Sequence, residues 1–207
     1  WLDLDAMPDE IDAVLHDVPH AGVRLPGAID AFEMVVRAVL GQQVTVAAAH
    51  TFASRLVQRF GEPVATPWGE VQRLFPTPAV LAACSVSDLA ELGIVRQRSG
   101  AILALARQCP ELSRSLSSGA DTQVTLTRLQ ALPGIGPWTA HYIAMRALAW
   151  PDAFPPGDVA VLKAMGLLYG SATMREAEQR ARAWSPWRAY AVVRLWASLA
   201  APAQKEA

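Results

Sequence analysis

The sequence has little cysteine, no long apolar run and almost no net charge, and each of these absences narrows the class of protein. Its 207 residues include two cysteines, Cys84 and Cys109, which are too few for a four-cysteine zinc or iron–sulfur site. Both lie in apolar segments, so we expect buried, reduced thiols. No apolar stretch has the roughly 20 residues that a transmembrane helix needs. No basic segment followed by an apolar one opens the chain as in a secretory signal.

The numbers of histidines and charged residues do not by themselves indicate a metal site or a nucleic-acid-binding protein. Of the four histidines, His16 and His20 have a spacing that suits a helical metal site, but Pro19 interrupts that spacing. The net charge of −1 does not indicate a nucleic-acid-binding protein. The first 20 residues, however, hold six acidic and no basic side chains, so the rest of the chain has 18 basic and 13 acidic ones. Ordinary solvated helix faces would explain this excess equally well.

Almost every periodic segment predicts an α-helix. Asp30 is an N-cap candidate for the segment that follows it, and another helix should begin after Thr45 and stop at Gly61. We find no run of alternating apolar and polar residues bounded by hairpin turns. The sequence therefore predicts an all-α protein with eight to ten helices, in which residues 62–76 form the longest irregular connection.

The stretch LQALPGIGPWTAHYIAMRAL (129–148) places apolar residues at helical spacing but interrupts the helix in its middle. Gly134 and Gly136, between two prolines, predict two helices joined by a short turn. The first amide groups of the second helix would have no intrahelical partner, and such groups bind anions such as a DNA phosphate. A tight corner between two helices, without a ligand, fits the same pattern.

Several segments, in order, resemble the bacterial 3-methyladenine DNA glycosylase II group of the helix-hairpin-helix DNA glycosylase superfamily. The resemblance covers roughly residues 22–196. It is carried by GVRLPGAIDAFEMVVRAVLGQQVTVAAA, LFPTPAVLAA, the 129–148 hairpin, FPPGD and WSPWRAYAVVRLW. It implies two packed helical subdomains with the active-site cleft between them.

The resemblance also divides the chain. Residues 1–21 would be a remnant or linker of a missing N-terminal domain, so we expect the chain, which starts at Trp1, to be part of a longer protein. Residues 22–201 would form the helical glycosylase region, and residues 202–207 a polar tail. The implied protein is a bacterial cytoplasmic monomer that acts on double-stranded DNA with damaged bases and has no membrane association.

The resemblance makes Asp158, in FPPGD, the catalytic residue. A carboxylate near the sugar can stabilise the cation that develops when the glycosidic bond breaks. A simple N-cap for the helix that follows is the alternative role. The resemblance places Trp138, Tyr142 and Trp196 around the flipped base, where electron-rich rings would favour positively charged alkylated purines.

Position 138 separates two mechanisms. Bifunctional relatives in the superfamily carry a lysine at this point of the hairpin, whose amine attacks the sugar. This sequence has Trp138, and the nearest lysine, Lys163, lies in the segment after Asp158. The resemblance therefore implies base removal without strand cleavage.

DNA contacts are expected from the hairpin and from one further loop. The resemblance assigns them to Gly134, Gly136, Thr139, Gln42 and Gln43. Gln43 stands where the family inserts an apolar side chain into the duplex, and this departure puts base flipping in doubt. A helix end that needs polar groups would also explain both glutamines.

The resemblance implies no cofactor apart from a structural Na⁺ or K⁺ ion at the hairpin. The main-chain carbonyls of Gln130, Leu132 and Ile135 would hold it. Two alternatives to the alkylpurine glycosylase stay open: a non-catalytic helix-hairpin-helix module, and a glycosylase for another damaged base such as hypoxanthine or uracil.

Overall fold

A computed structural model describes residues 7–116, 120–170 and 173–200. In these ranges the chain forms eleven α-helices and one 3₁₀ turn. Strand-like pairing within them is limited to one antiparallel β-bridge between Pro63 and Arg73. The all-α prediction is confirmed, with one helix more than expected. The helices are α1 Met7–Val14, α2 Ala31–Leu40, α3 Val46–Phe60, α4 Pro78–Ala82, α5 Val86–Ala90, α6 Arg96–Ser115, α7 Thr122–Gln130, α8 Pro137–Ala147, α9 Val159–Tyr169, α10 Met174–Ala181 and α11 Arg188–Ala200.

Side-chain caps fix where most of these helices begin. The Asp30 carboxylate accepts the Glu33 amide at the start of α2, and the Thr45 hydroxyl accepts the Ala48 amide at the start of α3. Both caps agree with the sequence, as does the end of α3 at Phe60, one residue before Gly61. No helix in the described residues is long and apolar enough to cross a bilayer.

The buried side chains form two clusters. The first fills the space between α2 and α8, and the long helix α6 contributes Ile102, Leu103 and Leu105 to its centre. The second joins α1, α9, α10 and α11 around Trp184 and Val192. Burying apolar surface in each cluster is the main favourable term in folding, so each forms a cohesive unit.

Helix α8 belongs to both clusters. Its Ile143 and Ala144 lie in the first, Met145 lies in the second, and Tyr142 packs against both. This helix therefore forms the boundary between two packed groups of helices, as expected. The first helix, α1, lies within the segment 1–21 and buries Ile11 in the second cluster. The division of the chain into a linker, a helical region and a tail stays a prediction.

Candidate active site

The hairpin has the predicted form. Helix α7 ends at Gln130 and α8 begins at Pro137, with a six-residue turn between them. Gly134 has φ +82°, and an added Cβ would lie 3.1 Å from the Cβ of Ala101, so both the conformation and the space favour glycine. Gly136 is the N-cap of α8 and provides no side-chain cap. The first amide groups of α8 are thus left for a ligand or water.

Gln42 supports this turn from the first helical cluster. Its Nε2 donates to the Gly134 carbonyl and to the Thr139 hydroxyl, each over 2.9 Å. Thr139 is buried, and its hydroxyl accepts this hydrogen bond from Gln42. Gln43, the next residue, has φ +52°, a left-handed conformation that is uncommon for a residue other than glycine.

A cleft of about 650 Å³ lies in front of the hairpin. It is bounded by three parts of the chain: the α2–α3 loop, the beginning of α6, and the hairpin together with the loop that leads into α9. Its lining residues include Gln42, Gln43, Arg98, Gly134, Gly136, Trp138, Thr139 and Asp158. The cleft thus lies between the two helical clusters and brings together most of the residues singled out from the sequence.

Asp158 lies in the wall of this cleft, and 5% of its surface is exposed. Its Oδ2 accepts the indole N–H of Trp138 over 2.8 Å. Its Oδ1 accepts the indole N–H of Trp196 over 3.1 Å and the amide of Val161 over 2.8 Å. Asp158 is therefore the N-cap of α9, and the same carboxylate also joins two aromatic residues from other helices.

The three predicted aromatic residues lie together. The rings of Trp138 and Tyr142 stack with centroids 5.1 Å apart and an interplanar angle of 8°. Trp196 is tilted against Tyr142 with centroids 6.1 Å apart. The two indole N–H groups point to Asp158, so the carboxylate fixes the orientation of both tryptophans.

A second cavity, of about 520 Å³, lies beside the cleft and shares Gly41 and Trp138 with it. We call it the aromatic pocket, because Trp138, Tyr142 and Trp196 all line it. Its other lining residues are mostly aliphatic, and it also contains Arg37, His50 and Arg146. Apolar walls with a few polar groups are typical of small-molecule sites of this size.

The sequence reasoning did not single out Arg146. It lies four residues after Tyr142 and eight after Trp138, so it shares their face of α8. Its guanidinium lies 5.8 Å from the centroid of the Tyr142 ring. The spacing of four residues from Tyr142 and eight from Trp138 would have been enough to predict that Arg146 lies beside them.

The positions expected to hold a cation are the last residue of α7, Gln130, and two residues of the hairpin turn, Leu132 and Ile135. The Leu132 carbonyl accepts the Ile135 amide over 3.2 Å, which leaves this oxygen one further lone pair. Carbonyl oxygens are suitable ligands for hard cations. The Leu132 carbonyl is thus chemically suited to the ion, and its binding by Gln130, Leu132 and Ile135 together stays a prediction.

A further ionisable residue of α8 is His141, which directly precedes Tyr142. Burial lowers the pKa of His141, and the guanidinium of Arg188 lowers it further. The buried Nδ1 of His141 has no hydrogen-bond partner in the described part of the chain. The imidazole packs against Trp150 with ring centroids 5.7 Å apart.

Comparison with known proteins gives this arrangement a family context. The family model described as "HhH-GPD superfamily base excision DNA repair protein" matches residues 36–189. The chain is 40% identical over 209 residues to the "Probable bifunctional transcriptional activator/DNA repair enzyme AlkA" of Mycobacterium tuberculosis, covering 97% of this chain and 42% of the relative. It is 36% identical over 196 residues to "DNA-3-methyladenine glycosylase 2" of Escherichia coli, covering 94% and 67% respectively.

Solved structures share the fold. A 3-methyladenine DNA glycosylase from Archaeoglobus fulgidus superposes with a TM-score of 0.76 at 23% identity, over 93% of this chain and 68% of that one. Mag1 of Schizosaccharomyces pombe, in complex with abasic DNA, has a TM-score of 0.73 at 17% identity, over 94% and 93%. The chain spans less than half the length of the mycobacterial relative and about two thirds of the E. coli one.

Proposed function

Because the chain belongs to the HhH-GPD superfamily of base excision DNA repair proteins, we propose that it is a monofunctional DNA glycosylase. It would remove alkylated purines of the 3-methyladenine and 7-methylguanine type from double-stranded DNA. The observation that carries the proposal is the Asp158 carboxylate, which lies in the cleft wall and accepts hydrogen bonds from Trp138 and Trp196. The name of the E. coli relative, "DNA-3-methyladenine glycosylase 2", supports the choice of substrate.

DNA would bind first through its backbone. The uncapped amide groups at the start of α8 are oriented to bind a phosphate, and Gly134 and Gly136 let the backbone approach closely. Gln42 would act indirectly, since its Nε2 is already bound to Gly134 and Thr139. A monovalent cation on the carbonyls of Gln130, Leu132 and Ile135 would add positive charge beside the same phosphate.

The damaged base would then leave the stack and enter the aromatic pocket. Methylation of a purine at N3 or N7 leaves a positive charge on the base, and the faces of Trp138, Tyr142 and Trp196 attract cationic groups. Gln43, in the cleft, would fill the space that the base vacates in the duplex.

Bond cleavage would depend on Asp158. Its carboxylate would stabilise the positive charge that develops on the sugar and would orient the attacking water. An alkylated base leaves readily, so modest stabilisation is enough. Trp138 stands where a lyase would have its amine and cannot form a Schiff base, so the DNA strand would stay intact.

The proposal extends to the organisation of the chain. Residues 22–201 would be the catalytic region, and the protein would act as a monomer.

Base release from randomly methylated duplex DNA, with chromatographic identification of the products, tests the proposal. Asp158→Asn should reduce single-turnover release at least about 100-fold, because the amide lacks the negative charge that opposes the cation. Asn is as good an N-cap as Asp, and its Oδ1 can still accept the Val161 amide and the Trp196 indole, so α9 should persist and only the bond to the Trp138 indole is lost.

Asp121→Asn is the matched control, because Asp121 caps α7 with nearly the same backbone angles, φ −63° and ψ 113° against −63° and 112° at Asp158. This variant should release bases at the wild-type rate. A wild type that binds DNA but releases no base would be only a DNA-binding module, and equal release by Asp158→Asn and wild type would contradict the catalytic role of Asp158. Release of hypoxanthine or uracil from duplexes that contain these bases, without any release from methylated DNA, would contradict the proposed substrate.

A further inference from the structure

Arg146 lies in the aromatic pocket but has no part in the function proposed so far. On α8 it continues the row that Trp138 and Tyr142 begin, and all three line the same cavity. A base bound in this pocket would therefore lie within reach of the guanidinium.

The contacts of Arg146 hold the guanidinium in place without neutralising it. Its Nε donates to the Pro26 carbonyl over 2.8 Å, and its Nη1 lies 3.4 Å from the Tyr142 hydroxyl. Its Nη2 has no hydrogen-bond partner in the described residues, and no carboxylate there pairs with it. Arg37, the other arginine of the pocket, differs because it pairs with Glu33 over 2.6 Å.

An arginine side chain can only donate hydrogen bonds. Position 6 of a guanine carries a carbonyl oxygen, which accepts, whereas position 6 of an adenine carries an amino group, which donates. Arginine accordingly binds guanine through two hydrogen bonds to O6 and N7, whereas the matching pair of bonds to the N6 and N7 of adenine is made by Asn or Gln, which both donate and accept.

We propose that Arg146 determines specificity in the aromatic pocket by favouring flipped purines with a carbonyl at position 6 over those with an amino group. The inference rests on the proposed function and narrows its substrate class to alkylated guanines in preference to alkylated adenines. Both kinds of lesion are cationic, so repulsion by the guanidinium affects them alike, and the hydrogen bond makes the difference.

The test compares 3-methylguanine with 3-methyladenine, which carry the methyl group on the same nitrogen. Both bases are quantified after release from one preparation of methylated duplex DNA, under single-turnover conditions. Arg146→Met keeps an unbranched apolar stem and removes every donor, and it should lower the ratio of 3-methylguanine to 3-methyladenine released by about tenfold or more. Arg37→Met should leave that ratio at the wild-type value, because the pairing with Glu33 already engages Arg37.

A second measurement needs no variant. In the wild type, the enhancement over spontaneous release should be larger for 3-methylguanine than for 3-methyladenine. An unchanged ratio in folded Arg146→Met, or a wild-type enhancement that favours 3-methyladenine, would overturn the inference. Failure of the proposed function would look different, since the wild type would then release neither base.

Discussion

At the scale of single residues, the N-cap role of Asp158 is confirmed and is compatible with the catalytic role that we propose for it. Its Oδ1 caps α9 through the Val161 amide, as a helix N-cap does. The same carboxylate binds two indole N–H groups and lies in the cleft wall, which a simple cap would not require. The residue would therefore serve the fold and the proposed chemistry together, and the Asp121 control separates the two roles.

Gln43 provides a test at the same scale. Gln43→Ala should lower the rate of base release from methylated duplex DNA by about tenfold, because no side chain would fill the vacated space in the stack. Release from methylated single strands should be unaffected, since no intact stack has to be refilled there. Equal losses on both substrates would show that Gln43 acts in some other way.

His141 makes stability depend on pH. Burial holds its pKa below the ordinary value, so the unfolded chain binds the proton more readily than the folded protein. Stability should therefore fall as the pH drops through the ordinary histidine range near 6.5 and below. His141→Phe keeps a ring beside Trp150 and removes this titration, so its Tm should fall less than that of the wild type between pH 7.5 and 5.5. Parallel Tm profiles of the two proteins would contradict this explanation.

At the scale of elements, the second helix of the hairpin, α8, begins without a side-chain cap. Seven helices (α2, α3, α4, α5, α7, α9 and α10) begin with a side chain that caps the backbone. At the start of α8 the N-cap is Gly136, which has no side chain to do so. Its first amide groups thus stay available at the cleft, where the proposed function needs them.

Gly134 and Gly136 should respond differently to substitution. Gly134→Ala forces an L-residue to φ +82° and brings its Cβ to 3.1 Å from Ala101. We expect a cost of about 1–2 kcal/mol, or a loss of about 3–6 °C in Tm. Gly136→Ala should leave Tm almost unchanged, because φ is −84° and no atom lies within 4 Å of the added Cβ. Thermal unfolding of both variants is the measurement, and equal losses would refute the distinction.

At the scale of the whole molecule, two clusters of buried side chains place the cleft. Trp138 comes from the hairpin, Trp196 from α11, and Asp158 from the loop before α9, so neither cluster alone contains the site. The first helix is joined to this arrangement by an ion pair between Asp12 and the buried Arg194 of α11. Arg194 lies two residues before Trp196, and α1 therefore helps to hold the helix that carries it.

Breaking that ion pair should destabilise the protein. Asp12→Asn leaves the fully buried guanidinium of Arg194 without a counter-charge, which we expect to cost about 2 kcal/mol. This is less than for a fully buried pair, because the side chain of Asp12 is 38% exposed. Arg194→Met should cost less than Asp12→Asn, since it removes the buried charge itself. Urea unfolding measures both, and a smaller effect of Asp12→Asn than of Arg194→Met would contradict the explanation.

The sequence predicted local features well and distant contacts poorly. Helix starts at Asp30 and Thr45 follow from short-range chemistry, and so does the interrupted helix at 129–148. The number of helices was underestimated by one, because α1 (Met7–Val14) lies in the segment 1–21 that was interpreted as a remnant or linker. The support of the hairpin by Gln42 joins residues 92 and 97 positions apart, and no local pattern encodes such a contact.

By itself, the sequence determined the all-α class, the hairpin and the identity of the residues that resemble a family site. These depend on residue types and spacings within one or two turns of helix. Only the tertiary structure decided that both indole N–H groups bind Asp158, that Gln42 holds the turn, and that Arg146 lines the aromatic pocket without a carboxylate partner. Such contacts arise when separate helices pack around shared cores, and the direction of each side chain is fixed only then.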